Sequence, residues 1–426
     1  MTRVVVIGAG LAGLVASIRL ADAGARVALL NKGTGGLQLG QGTVDVLGYA
    51  PERVQRPLDA LAGFAQAHPG HPYGMLDAAL VARSLEYLKE LLGPGLLTGD
   101  PAVNLHLPTA VGSVRPTALV SPSMTAGSCV DGASFVIVGL RRIKDFYPEL
   151  VAQNLNRTDL PGGGRLTARH VMIDIPAREN EVDSSGLTYA RALDDPGFRR
   201  RFAQGVAAVV GEGETVGLPA VLGLDDHGAW AEIAELIGAP VFEIPLPPPS
   251  VPGMRQNRAL TARAKAAGVR VVPGSRVTGF RSSGGAVDSV QLATAGGDRD
   301  FKADAFLLAT GGFESGALSA DSYHNLHEAV FDLPLRRPEG HLVHGDYWGD
   351  PQPLFTAGVE TDDTMLVRHP GGEPVYSNLY AAGGILAGAT RWQEKSGEGI
   401  AVASAVRAAD SILEAATTAT TQGAAS

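Results

Sequence analysis

Three glycines near the start of the chain, in the run Gly8-Ala9-Gly10-Leu11-Ala12-Gly13, have the spacing that brings a phosphate against backbone. Each serves the site differently. Gly8 turns the chain, Gly10 lets the phosphate approach, and Gly13 permits close helix–strand packing. The N–H groups and positive dipole end of a following helix would face the anion. About 20 residues on, where this fingerprint usually carries an acid for a ribose hydroxyl, the chain has Asn31 followed by Lys32. Asn31 can hydrogen-bond a hydroxyl without the strength of a carboxylate, and Lys32 could pair with phosphate. Further glycine-rich turns stand at Gly33 to Gly48, which includes Gly42 and Thr43, at Thr310-Gly311-Gly312 and at Gly383-Gly384, and Gly397-Glu398-Gly399 opens a helix. A dinucleotide alone would not require all of them.

Candidates for acid, base and anion chemistry are fewer. Arg115 and Arg255 each lie at an expected junction between structural units and offer the planar fork that suits phosphate, against the plainer role of an inter-unit ion pair. Arg141, Arg142 and Lys144 form a denser positive run of the kind that usually faces solvent. His341 and His344 stand beside Asp346 among glycines, which favours a loop and proton transfer at His344 over metal ligation, so no metal is expected. His227 reads as part of a helix-start turn. No Ser–His–Asp or cysteine-based spacing suggests a hydrolase.

The elements that must position these residues follow from pattern. Val4 to Ile7 is a β-branched run suited to a buried strand, Leu14 to Ala23 reads as a helix ending at Gly24, and Arg26 to Leu30 as the next parallel strand. Leu76 to Leu92 has amphipathic helical spacing and stops at Gly93-Pro94-Gly95. Arg115-Pro116-Thr117 reads as the entry to an inserted unit with strands near Phe135 to Val138 and Val171 to Ile175 and a loop at Gly162 to Gly164. The Pro245-Leu246-Pro247-Pro248-Pro249 run is the expected crossing back, followed by a helix from Met254 to Ala267 and strands from Val269. Asp304 to Ala309 and Leu379 to Ala382 are apolar strands emptying into glycine turns, and a helix runs from Gly397 to about Leu413. The expected class is α/β: a Rossmann-like FAD/NAD(P)-binding domain in two parts, 1–112 and 251–414, with an inserted second α/β domain over 113–250 and a disordered tail over 415–426.

Composition narrows the function. Glycine supplies 55 of 426 residues, and Lys plus Arg at 35 against Asp plus Glu at 44 leaves a net charge of −9, which gives no attraction for nucleic acid or an anionic membrane. Cys129 is the one cysteine, so the chain makes no internal disulfide and holds no iron–sulfur cluster, and a reducing compartment is expected. The Val4–Gly10 opening lacks the pattern of a signal peptide, and no apolar run approaches the ~20 residues of a membrane span.

With these residues in view, the chain resembles the B subunits of anaerobic glycerol-3-phosphate dehydrogenase, flavoproteins related to the fumarate-reductase-like oxidoreductases. The general motifs are the Gly8–Gly13 run and the Thr310-Gly311-Gly312 turn. More particular are Gln41-Gly42-Thr43-Val44-Asp45, Val138-Gly139 leading to Asp145-Phe146, and Pro248-Pro249-Ser250-Val251-Pro252-Gly253-Met254-Arg255. Gly345-Asp346-Tyr347 with Pro351-Gln352-Pro353, and Thr361-Asp362-Asp363-Thr364, are similar to the family too. The resemblance implies a flavin, FMN with FAD as the alternative, beside an FAD-containing A subunit and an iron–sulfur C subunit. It also implies a small phosphorylated substrate and a cytoplasmic location peripheral to the inner face of the membrane. Asn31 suits FMN, which has no adenosine ribose, while Gly384 stands where many related flavoproteins place an acid near the ribityl chain. Two other classes remain open at this point: a stand-alone flavin oxidoreductase, and a noncatalytic electron-transfer or assembly subunit.

Overall fold

A computed structural model describes residues 1–293, 299–346 and 349–424. Along the chain run β1 (Arg3–Ile7), α1 (Leu11–Asp22), β2 (Arg26–Asn31), the hairpin β3 (Leu105–Pro108) and β4 (Val114–Thr117), then β5 (Ser134–Leu140), β6 (Thr167–Ile173), β7 (Thr215–Pro219) and β8 (Val241–Ile244). These are followed by α2 (Val251–Ala266), β9 (Arg270–Pro273), β10 (Ala305–Leu308), β11 (Leu379–Ala381) and α3 (Gly397–Ala424).

The first sheet is parallel in the order β11-β10-β1-β2-β9, with Val5 opposite both Ala28 and Phe306. Val4, Val5, Val6 and Ile7 are buried, as expected of a central strand covered on both faces. Because the strands are parallel, their carboxyl ends share one edge, and the turns after β1, β2, β9, β10 and β11 all emerge there. Two turns show why glycine is needed. Gly8 has φ +110° and a Cβ there would lie 2.2 Å from the Ala309 carbonyl oxygen, while a Cβ on Gly13 would lie 1.8 Å from the Gly8 oxygen. α1 therefore starts at Leu11, directly after the turn, rather than at Leu14. It packs against α3, and Arg19 joins Asp410 across that contact at 2.6 Å.

The second sheet is also parallel, in the order β6-β5-β7-β8. Its core is drawn from residues between Val114 and Met254, with Phe135 and Phe242 in ring contact at 4.8 Å between centroids. α2 belongs to both cores: Val251 and Met254 pack into the second, Leu260 and Ala264 into the first. Its start is earlier than the sequence pattern gives because the Ser250 hydroxyl accepts from the Gly253 N–H and Pro252 suits a first turn. The helix before the Gly93 stop begins at Ala78, where the Asp77 carboxylate accepts from the Leu80 N–H.

The tail corrects its expectation. α3 continues to Ala424, so the segment from Ala415 is helical through that residue, with 425–426 outside the described residues. Alanine has the best helix propensity, and extension from an existing helix avoids the cost of nucleation. No helix among the described residues is long and apolar enough to cross a membrane.

Candidate functional site

A cavity of about 770 Å³ opens at the carboxyl edge of the first sheet. Gly8 and Gly10 line it at the β1–α1 turn, with Gly13 behind the wall. From there it runs one way to Asn31 and Lys32 at the end of β2, facing Ser275, Arg276 and Val277 after β9. The other way it reaches Gly42, Thr43, Thr310, Gly311, Gly383 and Gly384, and ends against Gly397 and Glu398 at the start of α3.

Three features of this wall fit a flavin nucleotide. A Cβ on Gly10 would have no protein atom within 4 Å, so the space in front of it is open while Gly8 and Gly13 are hemmed by backbone. Gly10 caps α1 without a side-chain hydrogen bond, which leaves first-turn N–H groups for an anion. Asn31 Oδ1 and Thr310 Oγ1 are buried with no partner within the protein, and both residues line the cavity. A bound flavin would supply the hydride acceptor there.

Thr43 leads to a charged cluster behind this end of the wall. Arg115, on β4, donates to Asp45 Oδ2 at 2.8 Å and to Thr43 Oγ1 at 2.5 Å. The Asp45 N–H reaches Glu398 Oε2 at 3.4 Å, and the Gly399 N–H donates to the Asp45 carbonyl at 2.9 Å. Burial pushes the Glu398 carboxyl up to about 7; Asp45 adds to the shift and Arg115 opposes it. Lys395, in the left-handed conformation at φ 53°, has its pKa lowered by burial and then by Arg115.

The turn that carries Lys395 is fixed from beneath. Glu394 accepts from the Thr390 N–H at 2.8 Å, from the hydroxyls of Thr390 and Ser396 at 2.7 and 2.8 Å, and meets His71 Nε2 at 3.1 Å. Burial raises the Glu394 carboxyl, but His71 and these hydroxyls outweigh it and hold it below the ordinary value. All the partners belong to the protein, so this network is structural.

Four sequence-derived assignments change. Arg255 is buried in a two-pronged ion pair with Glu243, at 2.7 and 3.0 Å, and its Nε donates to the Gly223 carbonyl at 2.7 Å. With all its donor edges engaged it cannot clamp a substrate phosphate; it is the inter-unit ion pair. Arg115 is likewise held by Asp45 and stands behind Thr43 rather than in the cavity wall. His344 sits exposed on a loop, where Gln352 Nε2 approaches its Nδ1 at 3.2 Å, away from the cavity. Gly399 packs too: a Cβ there would lie 2.6 Å from the Tyr73 hydroxyl and 3.0 Å from Val46 Cα. Tyr347, part of one resemblance motif, lies outside the described residues.

Two residues that do line the cavity escape a reading of the sequence. Arg391 faces it with Nη2 3.3 Å from Glu314, and a Cβ on Gly384 would fall 2.1 Å from Arg391 Nη1, so the absence of an acid at 384 makes room for this guanidinium. Glu398 is the other. Its flanking glycines stand out in the sequence, but its importance depends on Asp45, which no local spacing reveals.

The fold and this glycine-walled cavity define a flavoprotein, and the family model for the FAD binding domain matches residues 3–400. The chain belongs to the family of anaerobic glycerol-3-phosphate dehydrogenase B subunits. A relative from Halobacterium salinarum, named as a probable B subunit of that enzyme, is 31% identical over 97% of this chain and 98% of its own length. The B subunit of Pectobacterium carotovorum is 31% identical over 96% of this chain and 98% of its own. Among solved structures, a 3-ketosteroid Δ1-dehydrogenase from Sterolibacterium denitrificans matches with a TM-score of 0.48 at 11% identity, covering 97% of this chain and 100% of that one.

Proposed function

We propose that this chain is the flavin-carrying subunit of a quinone-linked glycerol-3-phosphate dehydrogenase, oxidising sn-glycerol 3-phosphate to dihydroxyacetone phosphate and passing electrons to a membrane acceptor. The observation that carries the flavin assignment is the continuous cavity that joins the Gly8–Gly10 turn to Glu398 at the head of α3. The substrate follows from the names of relatives matched nearly end to end. FAD is favoured over FMN, because the cavity continues past Gly10 to Asn31, Lys32 and Arg276, which is room for an adenosine half. Arg391 replaces Arg255 and Arg115 as the phosphate fork, since its guanidinium lines the cavity beside Gly384.

Relatives named as B subunits imply partner subunits. The proposed partners are an FAD-containing A subunit and an iron–sulfur C subunit that holds the assembly on the inner face of the membrane. What supports that division of labour is that the chain has one cysteine, Cys129, which is buried with its thiol pushed up to about 12, so an iron–sulfur relay would have to sit on another chain. Residues 113–250 are the proposed substrate or partner unit.

The test is the mass of the flavin released from purified protein, combined with anaerobic addition of glycerol 3-phosphate to the complex. FAD and bleaching of the flavin on this chain are expected. A flavin that only another alcohol bleaches would replace the substrate, and one that bleaches only through the partner would make this chain an electron carrier.

A further inference from the structure

The cavity wall at the head of α3 contains a carboxyl group for which the flavin-binding role has no use. Glu398 is half-buried and lines the cavity, and its neighbours include the loop after β2, whose Asp45 N–H reaches its Oε2, and Arg115 on a strand of the hairpin. A cofactor phosphate would be repelled there. Gly8, Gly10, Asn31 and Lys32 would hold the phosphate and adenosine on the other side, which would leave the side lined by Thr310, Gly384 and Glu398 for the reacting end of a flavin.

We propose that Glu398 is the proton acceptor of this site, taking the hydroxyl proton of the alcohol as its C–H hydride departs; this rests on the alcohol-oxidising function proposed above. The step balances. The O–H bond breaks and its proton forms a new O–H bond with a Glu398 carboxylate oxygen, while the O–H electron pair becomes the second bond of the carbonyl. The C–H bond breaks with its electron pair, which passes as hydride to the flavin, so the alcohol is oxidised and the flavin reduced.

The surroundings suit a base rather than a fixed ion. The charged and titratable groups that face Glu398 are Asp45 on the loop after β2, Tyr73 beneath that loop, Arg115 on β4 and Lys395 on the turn before α3. Arg115 is committed to Asp45 and Thr43, and no salt bridge ties Glu398 itself among the described residues. Asp45 keeps Oδ1 buried and unpartnered, so its negative charge is only half answered and acts on Glu398. Burial and Asp45 together give the carboxyl a proton affinity near neutrality, where a general base works best.

The experiment uses the complex carrying Glu398→Gln or Glu398→Asp in this chain, with flavin content and thermal midpoint checked first. Two readouts are taken: the rate of anaerobic flavin bleaching by glycerol 3-phosphate between about pH 5 and 9, and the visible spectrum of the oxidised flavin over the same range without substrate. In the natural protein the rate should rise with pH through about 7 and the spectrum should titrate there. E398Q should keep its flavin, lose the spectral titration and the rising limb, and bleach about 10²–10⁴-fold more slowly, with E398D restoring part of both. Unchanged bleaching with its limb intact in E398Q overturns the inference. If glycerol 3-phosphate does not bleach the natural protein, the function reading fails and the inference falls with it; a titration absent only from E398Q then shows that Glu398 ionises beside the flavin without acting on this alcohol, whereas bleaching that is intact in the natural protein but indifferent to E398Q overturns the inference alone.

Discussion

Gly10 is the residue on which flavin retention turns. Since no protein atom lies within 4 Å of where its Cβ would be, Gly10→Val should leave the fold intact and place two methyl groups where the phosphate approaches. The expected outcome is a folded chain that elutes without flavin, checked by circular dichroism and visible absorbance on one sample. At Arg391, lysine keeps the charge and loses the fork, so Arg391→Lys should weaken glycerol 3-phosphate binding by about tenfold and Arg391→Ala by more, with flavin content unchanged. Unaltered substrate affinity in both would move the phosphate elsewhere. At this scale glycines and arginines are unevenly legible in the sequence. A glycine turn is local, and Gly8, Gly10 and Gly13 declare their roles within one strand–turn–helix. An arginine's role depends on its partner: Arg115 on β4 is answered by Asp45 on the loop after β2, and Arg255 on α2 by Glu243 on β8, across contacts made only when elements distant in sequence meet.

Elements decide the pH response. At the head of α3, the Glu398 carboxyl is raised from 4.5 to about 7, so the folded protein retains a proton that the unfolded chain releases. The associated stability is fully present below about pH 4.5 and is lost as pH rises to about 7, at about 1.4 kcal/mol for each tenfold gain in proton affinity on folding. Flavin-free protein should therefore lose stability across that window in urea titrations, and E398Q should flatten the slope. Glu394 has the opposite sign: its carboxyl is held low, so its contribution exists above the ordinary carboxylate value and disappears as pH falls. Where β8 meets α2, burial raises Glu243, but the charge and hydrogen bonds of Arg255, with help from Ser123 and the Leu222 N–H, outweigh it and hold the carboxyl low. Arg255→Ala should cost about 3–5 kcal/mol by stranding that charge, and adding Glu243→Leu should recover much of it. A denaturation midpoint equal to the natural protein's in the single variant would contradict this. Helix and strand positions are legible to within a few residues because β-branched runs and caps are local signals. The length of α3 is not, because an alanine- and threonine-rich segment without bulky apolar residues resembles a disordered tail in composition.

At the scale of the whole molecule, the proposed route of electrons to quinone runs through partner subunits. The chain has one buried cysteine, no helix among the described residues suited to crossing a membrane, and a net charge of −9. The purified chain should reduce a soluble dye after substrate addition but leave membrane quinone oxidised until its partner subunits are added. Quinone reduction by the chain alone at the rate of the complex would refute that.

α2 has one more consequence, for how this gene can be cut and recombined. Val251 and Met254 serve one core and Leu260 and Ala264 the other, so no boundary in this helix separates the two without leaving a hydrophobic gap on one side. A fragment ending at residue 250 would also part Glu243 from Arg255. The segment that carries the second sheet should then not be portable: expressed alone it should collapse into aggregates, and a chimera should fold only when the exchanged piece extends through residue 266.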